Sequence, residues 1–218
     1  MDLNKILDFL SKNEDISSKN LIDFLRIPSI STDKKFRNDC KKAAFWISEY
    51  ISNIGFASDV IETSGHPIVL ASSGSGKPHL LFYGHYDVQP VDPIDQWDHD
   101  PFDPIIKKTE NEYIIKGRGA SDDKGQLMTF IEACDAYFKC YKKLPCKISI
   151  LLEGEEECGS PSLLPFLDKH KDKLDADHAL ICDTGMWDKD TPSISTKLRG
   201  MMGEELSITG PNKDLHSG

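Results

Sequence analysis

Apolar positions recur at two spacings along this chain. Leu3, Ile6, Leu7 and Leu10, then Leu21, Ile22, Phe24 and Leu25, keep a helical period that ends before Pro28. A second helix is predicted over 38–54, with Ala43, Ala44, Ile47, Tyr50, Ile51 and Ile54 facing inward and Gly55 as its stop. Strands are predicted near 56–62 and 67–72, separated by the turn around Ser64-Gly65-His66-Pro67. The Ser73–Pro78 turn leads into the apolar strand His79-Leu80-Leu81-Phe82-Tyr83. Pro90 to Pro104 reads as a long loop rich in Pro, Asp and Trp, placed to form a functional wall.

A short strand at Tyr113–Lys116 enters the Gly117-Arg118-Gly119 turn. The helix predicted over 123–141 carries Leu127, Phe130, Ile131, Cys134 and Phe138 on one side. Lys147–Leu152 is a buried strand, a helix follows near 161–170, and the strand His178–Cys182 ends at Asp183. Strand and helix alternate, so the expected class is an α/β sandwich. In such sheets ligands gather at the carboxyl ends of the strands.

Composition narrows this picture little. The 218 residues allow one large domain, or one domain and part of another. A net charge of -10 with no basic block argues against binding nucleic acid or an anionic membrane. The start Met1-Asp2-Leu3-Asn4-Lys5 lacks the features of a signal peptide, and no apolar run is long enough to span a membrane. Six cysteines without a C-x-x-C pair read as reduced thiols of a cytoplasmic protein.

The chemistry sits where strands end. His85-x-Asp87 closes one strand; alone, a histidine there is usually a structural hydrogen-bonder. With an aspartate two residues on and on the same face, its tautomer can be set for a metal. Asp122-Asp123 follows the Gly117-Arg118-Gly119 turn and opens a helix; one could be an ordinary cap, or one could bridge two cations. Glu155-Glu156-Glu157 could be a solvated acidic run. It follows a buried strand directly, however, so one glutamate can be a ligand and a neighbour a general base. Asp183 repeats the logic, although an aspartate there is commonly a turn former. No G-x-x-x-x-G-K-S/T phosphate loop occurs.

Taken together, these segments resemble the dinuclear zinc peptidase family that includes carnosine dipeptidase, glutamate carboxypeptidase, aminoacylase and succinyl-diaminopimelate desuccinylase. The resemblance is closest to the cytosolic dipeptidase branch. It rests on Tyr83–Pro90, Trp97 with Pro101-Phe102, Gly117–Gly119, Asp122–Gly125, Glu156–Ser160, Leu198–Gly200 and Asn212–Gly218, in that order. It implies a three-layer α/β/α sandwich with a mixed sheet over residues 1–199. The first strand of an inserted α+β lid or dimerisation domain is implied over 200–218.

The resemblance also implies the site. His85 and Asp183 would hold one zinc, Asp122 would bridge both, and Glu157 would hold the second; Mn2+ or Co2+ could replace zinc. Asp87 would orient His85, and Glu156 would be the general base, leaving Glu155 a bystander. His216 would meet the substrate in a homodimer's neighbouring site. The implied activity is hydrolysis of the amide bond of a dipeptide or N-acyl amino acid.

Family chains are about twice as long, and their second histidine ligand falls beyond residue 218. Four of the five implied ligands are therefore here, and residues 1–218 alone are expected to be inactive or nearly so. Alternatives are a non-catalytic relative acting as a binding module, a desuccinylase or deacylase, and a magnesium-dependent phosphohydrolase.

Overall fold

The computed structural model describes residues 1–109, 113–188 and 190–216. Two units are distinguished, Met1–Asp183 and Thr184–Gly218. Among the described residues, the first holds every helix and strand.

The amino-terminal pattern folds as two helices, α1 (Leu3–Lys12) and α2 (Glu14–Leu25). They part at Asn13, whose side chain bonds the Phe9 carbonyl at 2.7 Å. This asparagine competes with the helix backbone for hydrogen bonds, which a count of apolar positions does not register. Helix α3 (Arg37–Ile54) stops at Gly55 as predicted, with φ of 117°.

Strands β1 (Ala57–Ile61), β2 (Ile68–Ser73) and β3 (His79–His85) follow. A two-stranded ribbon of β4 (Ile105–Lys108) and β5 (Tyr113–Lys116) comes next. Helix α4 (Lys124–Tyr141), β6 (Lys147–Glu153), α5 (Leu163–Lys169), the short α6 (Lys171–Leu174) and β7 (His178–Ile181) complete the unit.

The main sheet runs β1-β2-β6-β3-β7. Strands β3, β6 and β7 are parallel, whereas β1–β2 and β2–β6 pair antiparallel, so the sheet is mixed as expected. Alternation along the strands sorts side chains to two faces. Val69, Ala71, Phe82, Ile148, Ile150 and Leu152 pack with α3 and α4. Ile68, Leu70 and Leu151 pack with Phe166 of α5. The result is three layers, helix on sheet on helix. The parallel register pairs His85 with Glu153, so β3 and β6 deliver their carboxyl ends to the same edge.

The second unit has no helix or strand among its described residues, and its classified side chains are exposed. His216 lies in it, as do the residues expected to open a lid; Ser217 and Gly218 lie outside the described residues. No helix among the described residues is long and apolar enough to cross a membrane.

Candidate metal centre

Strand β3 ends at His85, which is fully buried. Its Nδ1 lies 3.1 Å from the Asp87 carbonyl and 3.3 Å from Asp87 Oδ1. The backbone N–H of His85 donates to Asp123 Oδ2 at 3.1 Å. With Nδ1 committed to Asp87, Nε2 points at Asp122 Oδ1 (3.1 Å) and Asp183 Oδ2 (3.5 Å). Asp87 is itself held, because its Oδ2 accepts the Glu157 N–H at 3.1 Å.

Glu156 and Glu157 sit in a single 3-10 turn directly after β6. Ligand atoms of His85, Glu156 and Asp183 all lie within 4.8 Å of one another. They come from the carboxyl ends of β3, β6 and β7, three neighbouring parallel strands. Asp122 reaches the same spot from the turn before α4; its peptide to Asp123 is cis. Gln89 Nε2 donates to Glu157 Oε2 at 2.5 Å.

This edge carries more negative charge than its own hydrogen bonds satisfy. Asp123 Oδ1 and Glu157 Oε1 are buried with no hydrogen-bond partner. Burial raises the Glu156 carboxyl, and Asp183, Asp87 and Asp122 push it further up against the opposing pull of His85. Burial also raises Glu157, with the Gln89 hydrogen bond opposing, and lifts Asp123 to about 7. For His85 burial disfavours the charge. The hydrogen bond and charge of Asp87, with Asp123 and Glu156, outweigh it and raise the imidazole to about 10. The donor set suits a cation: one imidazole nitrogen and several hard carboxylate oxygens converge, and the other imidazole nitrogen is fixed by Asp87. The residues fit a divalent metal such as zinc.

Residues 81–209, more than half of the chain, match the family described as Peptidase family M20/M25/M40. The chain belongs to this family. It is 33% identical over 211 residues to a Cys-Gly metallodipeptidase of Saccharomyces cerevisiae, a match covering 89% of this chain and 44% of the relative. A Beta-Ala-His dipeptidase of Rattus norvegicus is 27% identical over 233 residues, covering 99% and 46% respectively. The solved structure of the di-peptidase Dug1p from Saccharomyces cerevisiae superposes with a TM-score of 0.78 at 30% identity, over 85% of this chain and 42% of that one. This M20-family chain thus spans less than half the length of these relatives.

The structure brings His85, Asp87, Asp122, Glu156, Glu157 and Asp183 into one cluster, while His216 lies in the other unit. Sequence reasoning missed two buried acids beside them. Glu153, 1% exposed, accepts from Tyr83 Oη at 2.5 Å and Ser160 Oγ at 2.9 Å. Glu155, 5% exposed, is engaged by backbone N–H groups. The final glutamate of an apolar strand was the available signal for Glu153. A strand residue carrying charge at a buried position implies a partner.

Proposed function

We propose that this chain supplies the metal-binding part of a hydrolase that cleaves the amide bond of a dipeptide or N-acyl amino acid. The observation that carries the reading is the convergence of His85, Glu156 and Asp183 within 4.8 Å, from three parallel strand ends. In this reading His85 and Asp183 would hold one zinc, Asp122 would serve both ions, and Glu157 would hold the second. Bound there, two zinc ions would acidify a water and polarise the scissile carbonyl.

The chain's own residues do the rest. Asp87 fixes the His85 ring so that Nε2 faces the cluster. Glu156, beside both His85 and Asp183, takes the proton of the attacking water and passes it to the leaving amine. Burial and the neighbouring carboxylates raise its carboxyl, the direction that makes a base better able to return the proton. Residues 1–199 form the catalytic part, and 200–218 begin the lid. In a homodimer, His216 would reach the partner subunit's site and stabilise the tetrahedral intermediate. The cytoplasm is the expected compartment.

Residues 1–218 contain four of the five ligands this reading requires, so by themselves they turn over substrate slowly or not at all. The test is a chimera in which residues 1–218 replace the matching part of the yeast relative. Zinc-dependent hydrolysis of Cys-Gly or β-Ala-His is expected from the chimera and little from residues 1–218 alone. A folded, zinc-loaded chimera without amide hydrolysis sinks the proposed function. Normal turnover by residues 1–218 alone sinks the five-ligand reading.

A further inference from the structure

The three consecutive glutamates after β6 are used in two ways. Glu156 joins His85 and Asp183 and the Glu157 N–H bonds Asp87, but Glu155 turns inward and is 5% exposed. Its Oε1 accepts the His66 N–H at 3.1 Å, and its Oε2 accepts the Ser162 N–H at 3.0 Å. One carboxylate therefore joins the β1–β2 turn to Ser162, the residue that precedes α5.

The fit on the β1–β2 side is close. A Cβ on Gly65 would overlap Glu155 Oε1, so only glycine lets the carboxylate reach the turn. The turn is also internally fastened, with Gly65 N–H donating to Thr63 Oγ1 at 3.0 Å and Thr63 Oγ1 to the His66 carbonyl at 2.6 Å. The Glu155 backbone closes the ligand turn itself. Its carbonyl accepts the Cys158 N–H at 3.1 Å and the Ser160 N–H at 2.7 Å. Within the turn, the Glu157 N–H is held by Asp87.

A third acid beside a cluster already rich in carboxylates adds repulsion, so its presence needs a compensating gain. Two charge-assisted bonds to backbone N–H groups of separate segments supply that gain. We propose that Glu155 is a positioning residue: it anchors the turn to two fixed segments and so holds Glu156 beside His85 and Asp183. The inference rests on the metal-site reading above.

Glu155→Gln tests it, because the side chain keeps its size while one acceptor becomes a donor aimed at a backbone N–H. Co2+ binding to residues 1–218 is followed by calorimetry and by the visible absorption of the bound ion. The variant is expected to keep its circular dichroism, bind Co2+ about 10–100-fold more weakly and show an altered spectrum. Glu62→Gln, at an exposed residue paired with Lys41, is expected to leave both unchanged.

A folded Glu155→Gln with wild-type affinity and spectrum overturns the proposal. If that variant does not fold, Gly65→Ala displaces the same carboxylate without altering its charge, and is read the same way. Failure of both to fold also overturns it, making Glu155 an element of stability rather than of positioning. If wild type itself binds no Co2+, the metal-site reading fails first and the inference with it.

Discussion

At the residue scale, a proton and a cation compete for one place. His85 Nε2 is surrounded by the same carboxylates that would share a metal, and its proton is held up to about 10. A ligand imidazole must be neutral, so binding expels that proton. Affinity of residues 1–218 for Zn2+ should rise about tenfold per pH unit between about 7 and 9. Calorimetry in buffers of different ionisation enthalpy should count the released proton; affinity independent of pH would contradict this assignment.

Glu156 makes a separate prediction. In the chimera, Glu156→Gln should lower kcat by about 10²–10⁴ while zinc content, read by elemental analysis, stays near two ions. The contact of His85 with Asp87 was legible from sequence because the two lie two residues apart at a strand end. The choice of Asp122 and Glu156–Glu157 within longer acidic runs rests on the family resemblance, and the Glu156→Gln chimera tests part of it. The work of Glu155 was not legible, since it depends on two N–H groups from segments distant in the chain.

At the scale of elements, Lys124 shows how the ligand turn is tied to its surroundings. It is fully buried at the first position of α4, directly after Asp122 and Asp123. Its Nζ donates to the Phe24 and Ile27 carbonyls at 3.2 and 2.7 Å and lies 4.7 Å from the Phe24 ring centroid. The bonds link the end of α2 to the start of α4. Burial nevertheless lowers this ammonium to about 7, against the pull of Cys40 and Asp87.

The unfolded chain keeps the lysine protonated to its ordinary value of 10.5, so between about 7 and 10.5 it binds more protons than the folded chain. Lys124 therefore makes wild type gain stability as pH rises through that range. Lys124→Met should lack this gain, so wild-type stability relative to the variant should grow by about 2–4 kcal/mol from pH 7 to 10. Urea melts of both proteins at each pH measure the difference. The contribution of His85 runs the opposite way in this window but is common to both proteins.

Element types were readable from periodicity because each strand and long helix buries a face at its own spacing. Three features were hidden. The break at Asn13, the β4 partner of β5 and the short α6 each rest on local hydrogen bonding or cross-strand pairing rather than on an apolar stripe.

For the molecule as a whole, β7 ends the strand order, and it is the least covered strand of the main sheet. It pairs with β3 on one side, and none of its residues is buried. Leu180 and Ile181 are 36% and 55% exposed, beside the same edge at which His85 and Asp183 meet. An outer strand with apolar side chains and unpaired backbone groups is a template for another strand. Charge opposes this only weakly, because the net charge of -10 is spread over the whole chain rather than gathered on β7. Residues 1–218 alone should therefore associate reversibly, with apparent mass rising with concentration in sedimentation experiments. Covering one isoleucine contributes about 1.5–3 kcal/mol. Ile181→Lys removes that gain and places a charge on the strand, so association should weaken by about tenfold or more. Urea melting of the variant should stay close to wild type, since the side chain is more than half exposed in the monomer. A monomer at all concentrations, or association insensitive to Ile181→Lys, would place the adhesive surface elsewhere. In the chimera the same edge has the remaining part of the relative available to cover it, so the Ile181→Lys effect should appear there as lost stability instead of lost association.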